Sequence, residues 1–139
     1  MKTSDLIALY RSLPEITALV GQKIHNAKVP TKDAVSGEVD VPFVWCRFRN
    51  DMSWGLQNPD VSQQPMGKVF DVECVGGTMD QAEAVRTAVY STMGFSGFAG
   101  TANMVLVTIE DQADDYAVRS APDDSGLFIC SLLVQVIGV

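Results

Sequence analysis

Residues 68–75 read KVFDVECV, and this stretch decides the fold together with the residues that follow it to position 110. Apolar and polar side chains alternate along it, with Phe70, Val72 and Cys74 on one side and acidic residues between them. A period of two with β-branched and aromatic residues is typical of a half-buried strand. The stretch therefore predicts a strand with one face in the core.

A helix is predicted directly after this strand. Gly76 and Gly77 interrupt the strand, Thr78 can cap the helix, and Gln81 three residues later completes a capping box. Apolar side chains then recur at steps of three and four, which places them in one stripe. The stripe consists of Met79, Ala82, Val85, Val89 and Met93. Gly94 is predicted to end the helix.

A second strand is predicted beyond the glycine-rich residues 94–100, which we interpret as a helix-to-strand turn. Residues 103–110 alternate again, so that two sets of side chains point in opposite directions. The sets are Met104, Leu106 and Thr108 against Val105, Val107 and Ile109. A helix laid across a sheet is the minimal core of an α+β domain.

The rest of the chain is expected to extend this unit. Periodicity predicts two helices, over residues 3–13 and 15–20, and the first can be capped by Thr3 or Ser4. It also predicts strands over residues 41–49, 116–120 and 127–139. The last strand is almost wholly apolar, which predicts a central position or cover on both faces. We therefore predict an α+β fold with a single domain, a mostly antiparallel β-sheet, one long helix packed across it, and N-terminal helices.

Composition narrows the classes of function. The chain has 139 residues, 47% of them apolar, and a formal net charge of −7. A net negative charge argues against a protein that recognises nucleic acid, because such proteins use Lys and Arg to neutralise the phosphates. No apolar run reaches the roughly 20 residues of a membrane span, and the N-terminus shows no secretory signal. We predict an ordinary globular protein with no membrane contact, made in a reducing cytoplasm.

Motifs of catalysis are not visible in the sequence. It contains no GxSxG elbow, P-loop, Rossmann glycine pattern or HExxH. The single histidine, His25, has no acid at a ligand-like spacing and is interpreted as a loop residue, and the acidic run at 110–115 lacks the spacing of a calcium loop. The cysteines Cys46, Cys74 and Cys130 fall in predicted strands and are interpreted as structural thiols. We predict no enzymatic activity, no cofactor and no metal.

Two segments are the candidates for protein contacts. Residues 41–49 place Phe43, Trp45, Arg47 and Arg49 on one face, opposite a face of Val44, Cys46 and Phe48 that is predicted to be core. A face that mixes aromatics with arginines is either a solvated sheet surface or a contact surface, since tryptophan and arginine are enriched at interfaces.

The second segment is the connector at residues 50–67. It runs about eighteen residues, although a hairpin loop usually needs only about two to five. It also carries Met52, Trp54, Leu56 and Met66, which a solvated linker does not need. It is interpreted either as a segment that becomes ordered against another subunit or as a flexible loop.

With the elements placed, the chain resembles the tail terminator, or tail-completion, proteins of long-tailed bacteriophages, also called head–tail joining proteins. The likeness lies in the order of elements over nearly the whole chain and in three loose motifs. These are LVGQKIHNAKVP at residues 19–30, PFV at 42–44 and DQAEAV at 80–85.

The resemblance implies a structural role in the virion. Proteins of this family are small α+β domains that form hexameric rings at the head-proximal end of the tail tube. There they stop tube growth and offer a surface to the head-completion protein, without enzymatic activity, while DNA passes through the ring unread. The expected partners are thus other copies of the chain, the tail tube protein and the connector, at the head–tail junction of a virion assembled in a bacterial cytoplasm.

A ring needs two different patches that meet between neighbours, and the sequence offers candidates. Those for the subunit or tube interface are Phe43, Trp45, Arg47, Arg49, Met52, Trp54 and Leu56. Those for an acidic channel lining are Glu110, Asp111, Asp114 and Asp115, with residues 31–40 as a further candidate. The alternatives are another head–tail connector or minor tail protein, a small monomeric binding module, and a small enzyme.

Overall fold

A computed structural model describes residues 1–26, 40–52, 66–111, 118–119 and 127–138 of the chain. The helices are α1 (Thr3–Ser12), α2 (Pro14–Val20) and α3 (Met79–Tyr90). The strands are β1 (Ile24–Asn26), β2 (Phe43–Met52), β3 (Met66–Gly76), β4 (Gly97–Ala99), β5 (Ala102–Asp111), β6 (Val118–Arg119) and β7 (Phe128–Gly138).

The strands form one sheet in the order β1-β2-β3-β7-β5-β4, with β6 also paired to β7. β1 pairs with β2 in parallel, and all other described pairs are antiparallel. The terminal strand β7 lies between β3 and β5, which confirms its predicted central position. β6 continues the ladder of β5 along β7, since Asp111 pairs with Leu132 and Val118 with Cys130. The predicted fold class is confirmed.

All three helices pack against the same face of the sheet. Phe70, Val72 and Cys74 of β3 are fully buried there, as their alternation predicted. Helix side chains from every helix join them in one core, among them Leu6, Leu9, Tyr10, Ile16, Val85 and Val89. Burying such side chains is worth about 1.5–3 kcal/mol each, which makes this layer the main source of stability. None of the helices in the described ranges is long and apolar enough to cross a membrane.

Thr78 caps α3 as predicted, but the other half of the predicted capping box forms at Gly77 instead of at Thr78. The Gln81 N–H donates to Thr78 Oγ1 at 3.1 Å, and Gln81 Oε1 accepts from the Gly77 N–H at 2.7 Å, so the box closes one residue before the cap. The predicted stripe extends too far, because the helix ends at Tyr90 and Met93 lies in the following turn, 47% exposed.

Two β-bulges interrupt the strands, and the one in β5 shifts the alternation that the sequence predicted. In β5 the register changes between Met104 and Leu106, so Met104 shares the core face with Val107 and Ile109 rather than with Leu106. In β2 the register changes between Phe48 and Asn50. A bulge places two residues opposite one and so inverts the face of every residue beyond it.

Several smaller predictions also need correction. Phe48 was placed in the core and is 43% exposed. His25 lies in β1 rather than in a loop, and the glycine-rich turn contains the short strand β4. β2 and β3 extend into the predicted connector, which leaves residues 53–65 outside the described part of the chain.

Gly76, at the end of β3, lies close to the backbone of the first turn of α3. A Cβ at this position would lie 2.6 Å from the backbone nitrogen of Ala82, whereas a Cβ at the adjacent Gly77 would meet Val41 Cγ2 at 3.3 Å. Gly76→Ala is expected to lower the free energy of unfolding by about 2–3 kcal/mol, because backbone must shift. Urea denaturation with Gly77→Ala as the matched control measures this. Equal effects of the two substitutions would contradict the close approach.

Candidate subunit interface

The sheet face opposite the helices is the candidate contact surface, and we call it the open face. Strand alternation places on it the side chains that the core does not use. They are Trp45, Arg47, Asp71, Glu73, Leu106, Thr108, Glu110, Ser131, Leu133, Gln135 and Ile137. An antiparallel sheet often leaves one face to solvent, with polar residues outward. Here apolar side chains are interspersed among the polar ones.

One end of the open face holds a small second cluster. Phe43 is 2% exposed and packs with Val75 and Ile129, flanked by the half-buried Trp45. Phe43 was predicted as a contact residue, and the structure places its side chain within the chain's own packing. The ring N–H of Trp45 has no hydrogen-bond partner among the described residues. A buried donor of this kind is uncommon in native structures.

The arginines of β2 stand beside this cluster. Arg47 Nη2 lies 3.1 Å from Asp71 Oδ2 and Arg49 Nη1 lies 3.5 Å from Asp71 Oδ1. The Arg47 guanidinium also lies 5.5 Å from the centroid of the Trp45 ring. The two arginine side chains are 56% and 51% exposed, against 19% for Asp71. Exposed ion pairs stabilise a fold by only about 0–1 kcal/mol, so these guanidiniums remain available to a partner.

The opposite edge of the open face is apolar and acidic. Phe98 of β4 is 81% exposed, and Val105 and Leu106 at the β5 bulge are 47% and 37% exposed. Glu110 is exposed near the end of β5. None of these three apolar residues is predicted as a contact residue from the sequence, because the glycines around β4 obscure the strand pattern and a bulge leaves no periodic signal.

Several predicted site residues lie outside what the structure describes. The backbones of Met52 and Asp111 belong to β2 and β5, but their side chains are not described. The remaining ones lie wholly outside the described ranges, and their assignments stay predictions. They are Trp54, Leu56, Asp114 and Asp115, with residues 31–39.

Other groups of chemical interest are structural. Cys46, Cys74 and Cys130 are free and buried, and burial raises the pKa of each thiol. Burial, with the charges of Arg11 and Lys23, lowers the pKa of His25, which therefore stays neutral at pH 7. Within the described ranges, no three His, Cys, Asp or Glu side chains group together to hold a metal ion.

A groove of about 360 Å³ lies beside the start of α2, at the turn that follows α3. It is lined by Leu13, Glu15, Ser91, Thr92, Met93, Gly94 and Phe95. The buried Thr92 hydroxyl donates to the Val89 carbonyl at 2.8 Å, so it does not point a free donor into the groove. Nothing in this lining selects a ligand.

Comparison with known proteins gives matches among solved structures. No protein-family model matches this chain, and no curated protein does. A solved chain described as "Virion of native gene transfer agent (GTA) particle" is similar, with a TM-score of 0.54 and 14% identity, over 88% of this chain and 83% of that one. This chain shares the fold of a virion component. At 14% identity the likeness shows the fold alone.

Proposed function

We propose that this chain is a structural protein of a phage virion. In this proposal it forms a ring, as a hexamer, that caps the head-proximal end of the tail tube, ends tube growth and joins the tail to the head connector. The observation that carries the proposal is the shared fold over 88% of the chain with a chain of a gene transfer agent virion. The layout and motifs that resemble tail terminators supply the more specific role.

The surface and charge of the molecule support a structural role of this kind. Helices cover one face of the sheet, while the open face presents Trp45 and two exposed arginines at one edge and apolar side chains at the other. Such residues are enriched at protein interfaces. A net charge of −7 suits a ring through which DNA passes without binding. The proposal assigns the chain no catalytic activity and no cofactor.

The experiment that tests this role removes the gene from the particle-producing host and images the particles by electron microscopy. A tail terminator predicts tubes of uncontrolled length that carry no heads, because nothing ends tube growth. Another connector protein, which has the same fold evidence in its favour, predicts tails of normal length that stay separate from heads. Normal particles without the chain would contradict both roles.

A second measurement tests assembly in solution. Light scattering on the purified chain is expected to give a mass near six times the 15.0 kDa of one chain. If assembly is weak, this mass is expected only at the highest protein concentration. Negative-stain images of the same sample should show rings. A monomeric binding module would instead stay at the mass of one chain at every concentration.

A further inference from the structure

Two long strands form the outer edges of the sheet over part of their length. β1 pairs with β2 only at residues 44–46, so in the described part of the chain residues 47–52 have no neighbour on their outer side. On the opposite side β4 pairs with residues 102–104 of β5, and the turn before β4 bonds to Val107. Residues 109–111 therefore form a second open edge among the described strands. Unpaired strand edges are templates for another chain.

One row of side chains on the open face joins these two edges. Arg47 lies opposite Asp71, Asp71 opposite Leu133, and Leu133 opposite Glu110. The row thus starts at an exposed guanidinium on β2 and ends at an exposed carboxylate on β5. Within the chain, Arg47 already pairs with a carboxylate on its inner side, at 3.1 Å from Asp71.

The directions of the strands allow this pattern to continue into a second copy. β2, β3, β7 and β5 are successively antiparallel, so β2 and β5 run in opposite directions. A second copy placed head to tail would bring its β2 beside β5 of the first in an antiparallel orientation, as in the rest of the sheet. Its Arg47 would then stand next to Glu110 at the same level of the row.

We infer that the β2 edge of one copy binds the β5 edge of the next, with Arg47 paired to Glu110 across the junction. This rests on the proposed ring and specifies its subunit contact. It assigns Glu110 to the contact between copies instead of to a channel lining. Phe48, which follows Arg47 in β2 and is 43% exposed, is an apolar side chain at this edge that such a contact would cover.

Charge favours the pairing of a β2 edge with a β5 edge over the pairing of two identical edges. Two β2 edges would bring Arg47 against Arg47, and two β5 edges would bring Glu110 against Glu110, and like charges at an interface are costly. A single chain carries both complementary edges on opposite sides of its sheet. A head-to-tail contact of this type repeats from copy to copy and closes into a ring when the rotation allows.

Charge reversal tests the inference. Arg47→Glu alone and Glu110→Arg alone are each expected to weaken self-association at least tenfold in sedimentation velocity at low salt, because like charges then meet at every junction. The double variant carrying both substitutions should recover assembly, since opposite charges face each other again. Glu83→Arg, an exposed site on α3, is the control for net charge and should leave association unchanged. Circular dichroism verifies that each variant is folded.

Mixing the two single variants provides a second readout that folding defects cannot imitate. Each alone is expected to associate at least tenfold more weakly than the wild type, whereas an equal mixture should assemble, because every junction in an alternating array joins opposite charges. If the wild type and the variants form rings equally well, the proposed contact between the β2 and β5 edges is wrong, whereas the proposed ring is still supported. If the wild type stays at 15.0 kDa at all concentrations, the ring in solution fails together with its contact.

Discussion

Asp5→Ala is expected to lower the free energy of unfolding by about 3 kcal/mol. The Asp5 side chain is 3% exposed, although it carries a charge and lies near the N-terminus. Its Oδ2 accepts from the Lys2 N–H at 2.7 Å, and its Oδ1 accepts from the Thr101 N–H at 2.8 Å and the Thr101 hydroxyl at 2.9 Å. Hydrogen bonds to charged groups contribute about 1.5–3 kcal/mol each, and removal of the acceptor leaves its donors unpaired.

The contact attaches the first helix to the β4–β5 hairpin across 96 residues of sequence. Gly100 in that hairpin has φ +58°, and a Cβ there would lie 2.5 Å from Asp5 Oδ1. Gly100→Ala should therefore destabilise the protein by the same route, with added strain from the left-handed backbone. The agreement of two substitutions on opposite sides of one contact would establish it as the anchor.

The pH dependence of the Asp5 effect has a definite sign. Burial raises the pKa of Asp5, but the hydrogen bonds from Thr101 and Lys2 outweigh it, so the net pKa lies below the ordinary 3.8. A lowered folded-state pKa stabilises the protein above the unfolded value and loses that contribution as pH falls through the folded one. The difference between wild type and Asp5→Ala should consequently be full at pH 7 and shrink below pH 3.8.

Urea denaturation followed by far-UV circular dichroism measures these differences. Asp80→Ala is the matched control, because Asp80 is exposed in the first turn of α3 and should cost only about 0.5 kcal/mol through the helix dipole. A variant Asp5→Ala that unfolds within about 1 kcal/mol of the wild type would show that the carboxylate does not anchor the helix.

The second large effect is a loss of stability in alkaline solution. Cys46, Cys74 and Cys130 are all buried in the core, and burial raises the pKa of each thiol above the ordinary 9.0. Burial likewise raises the pKa of Tyr10 well above 10.0. The folded protein therefore keeps protons that the unfolded chain releases.

A raised folded-state pKa stabilises the protein fully below the unfolded value and progressively less above it. Each thiol is expected to lower the free energy of unfolding by about 1.4 kcal/mol per pH unit beyond pH 9, until its folded-state pKa is reached. Three thiols acting together make this a steep decline, which Tyr10 steepens further beyond pH 10. Urea denaturation between pH 7 and pH 11 under reducing conditions measures the slope.

Cys46→Ala isolates one thiol in this experiment. The substitution destabilises the protein at every pH by leaving a cavity. Its specific effect is on the pH dependence: above pH 9 the free energy of unfolding should fall less steeply than in the wild type, by about 1.4 kcal/mol per pH unit. Identical slopes in the variant and the wild type would mean that the Cys46 thiol ionises in the folded protein, and would overturn the prediction.

The sequence predicted the elements whose signals are local. The alternation at 68–75 and the spacing of apolar residues in α3 gave the central unit, because a strand has period two and a helix 3.6 whatever surrounds them. Thr78 and Gln81 gave the start of α3, and the apolar C-terminal stretch gave a strand in the middle of the sheet.

Tertiary structure alone decided the features that join distant residues. The bulge in β5 depends on register against β7, so alternation could not place Met104 inside. Phe48 precedes the bulge in β2 and keeps the face of Val44 and Cys46, but it is 43% exposed where β2 is no longer paired with the described residues of β1. In the sequence Asp5 is an acidic residue in the first turn of a helix, and only the folded structure brings the β4–β5 hairpin into contact with it. The row from Arg47 to Glu110 exists only because the strand order puts β3 and β7 between β2 and β5. Periodicity records which side of a strand is buried, whereas pairing depends on packing energies summed over the whole sheet.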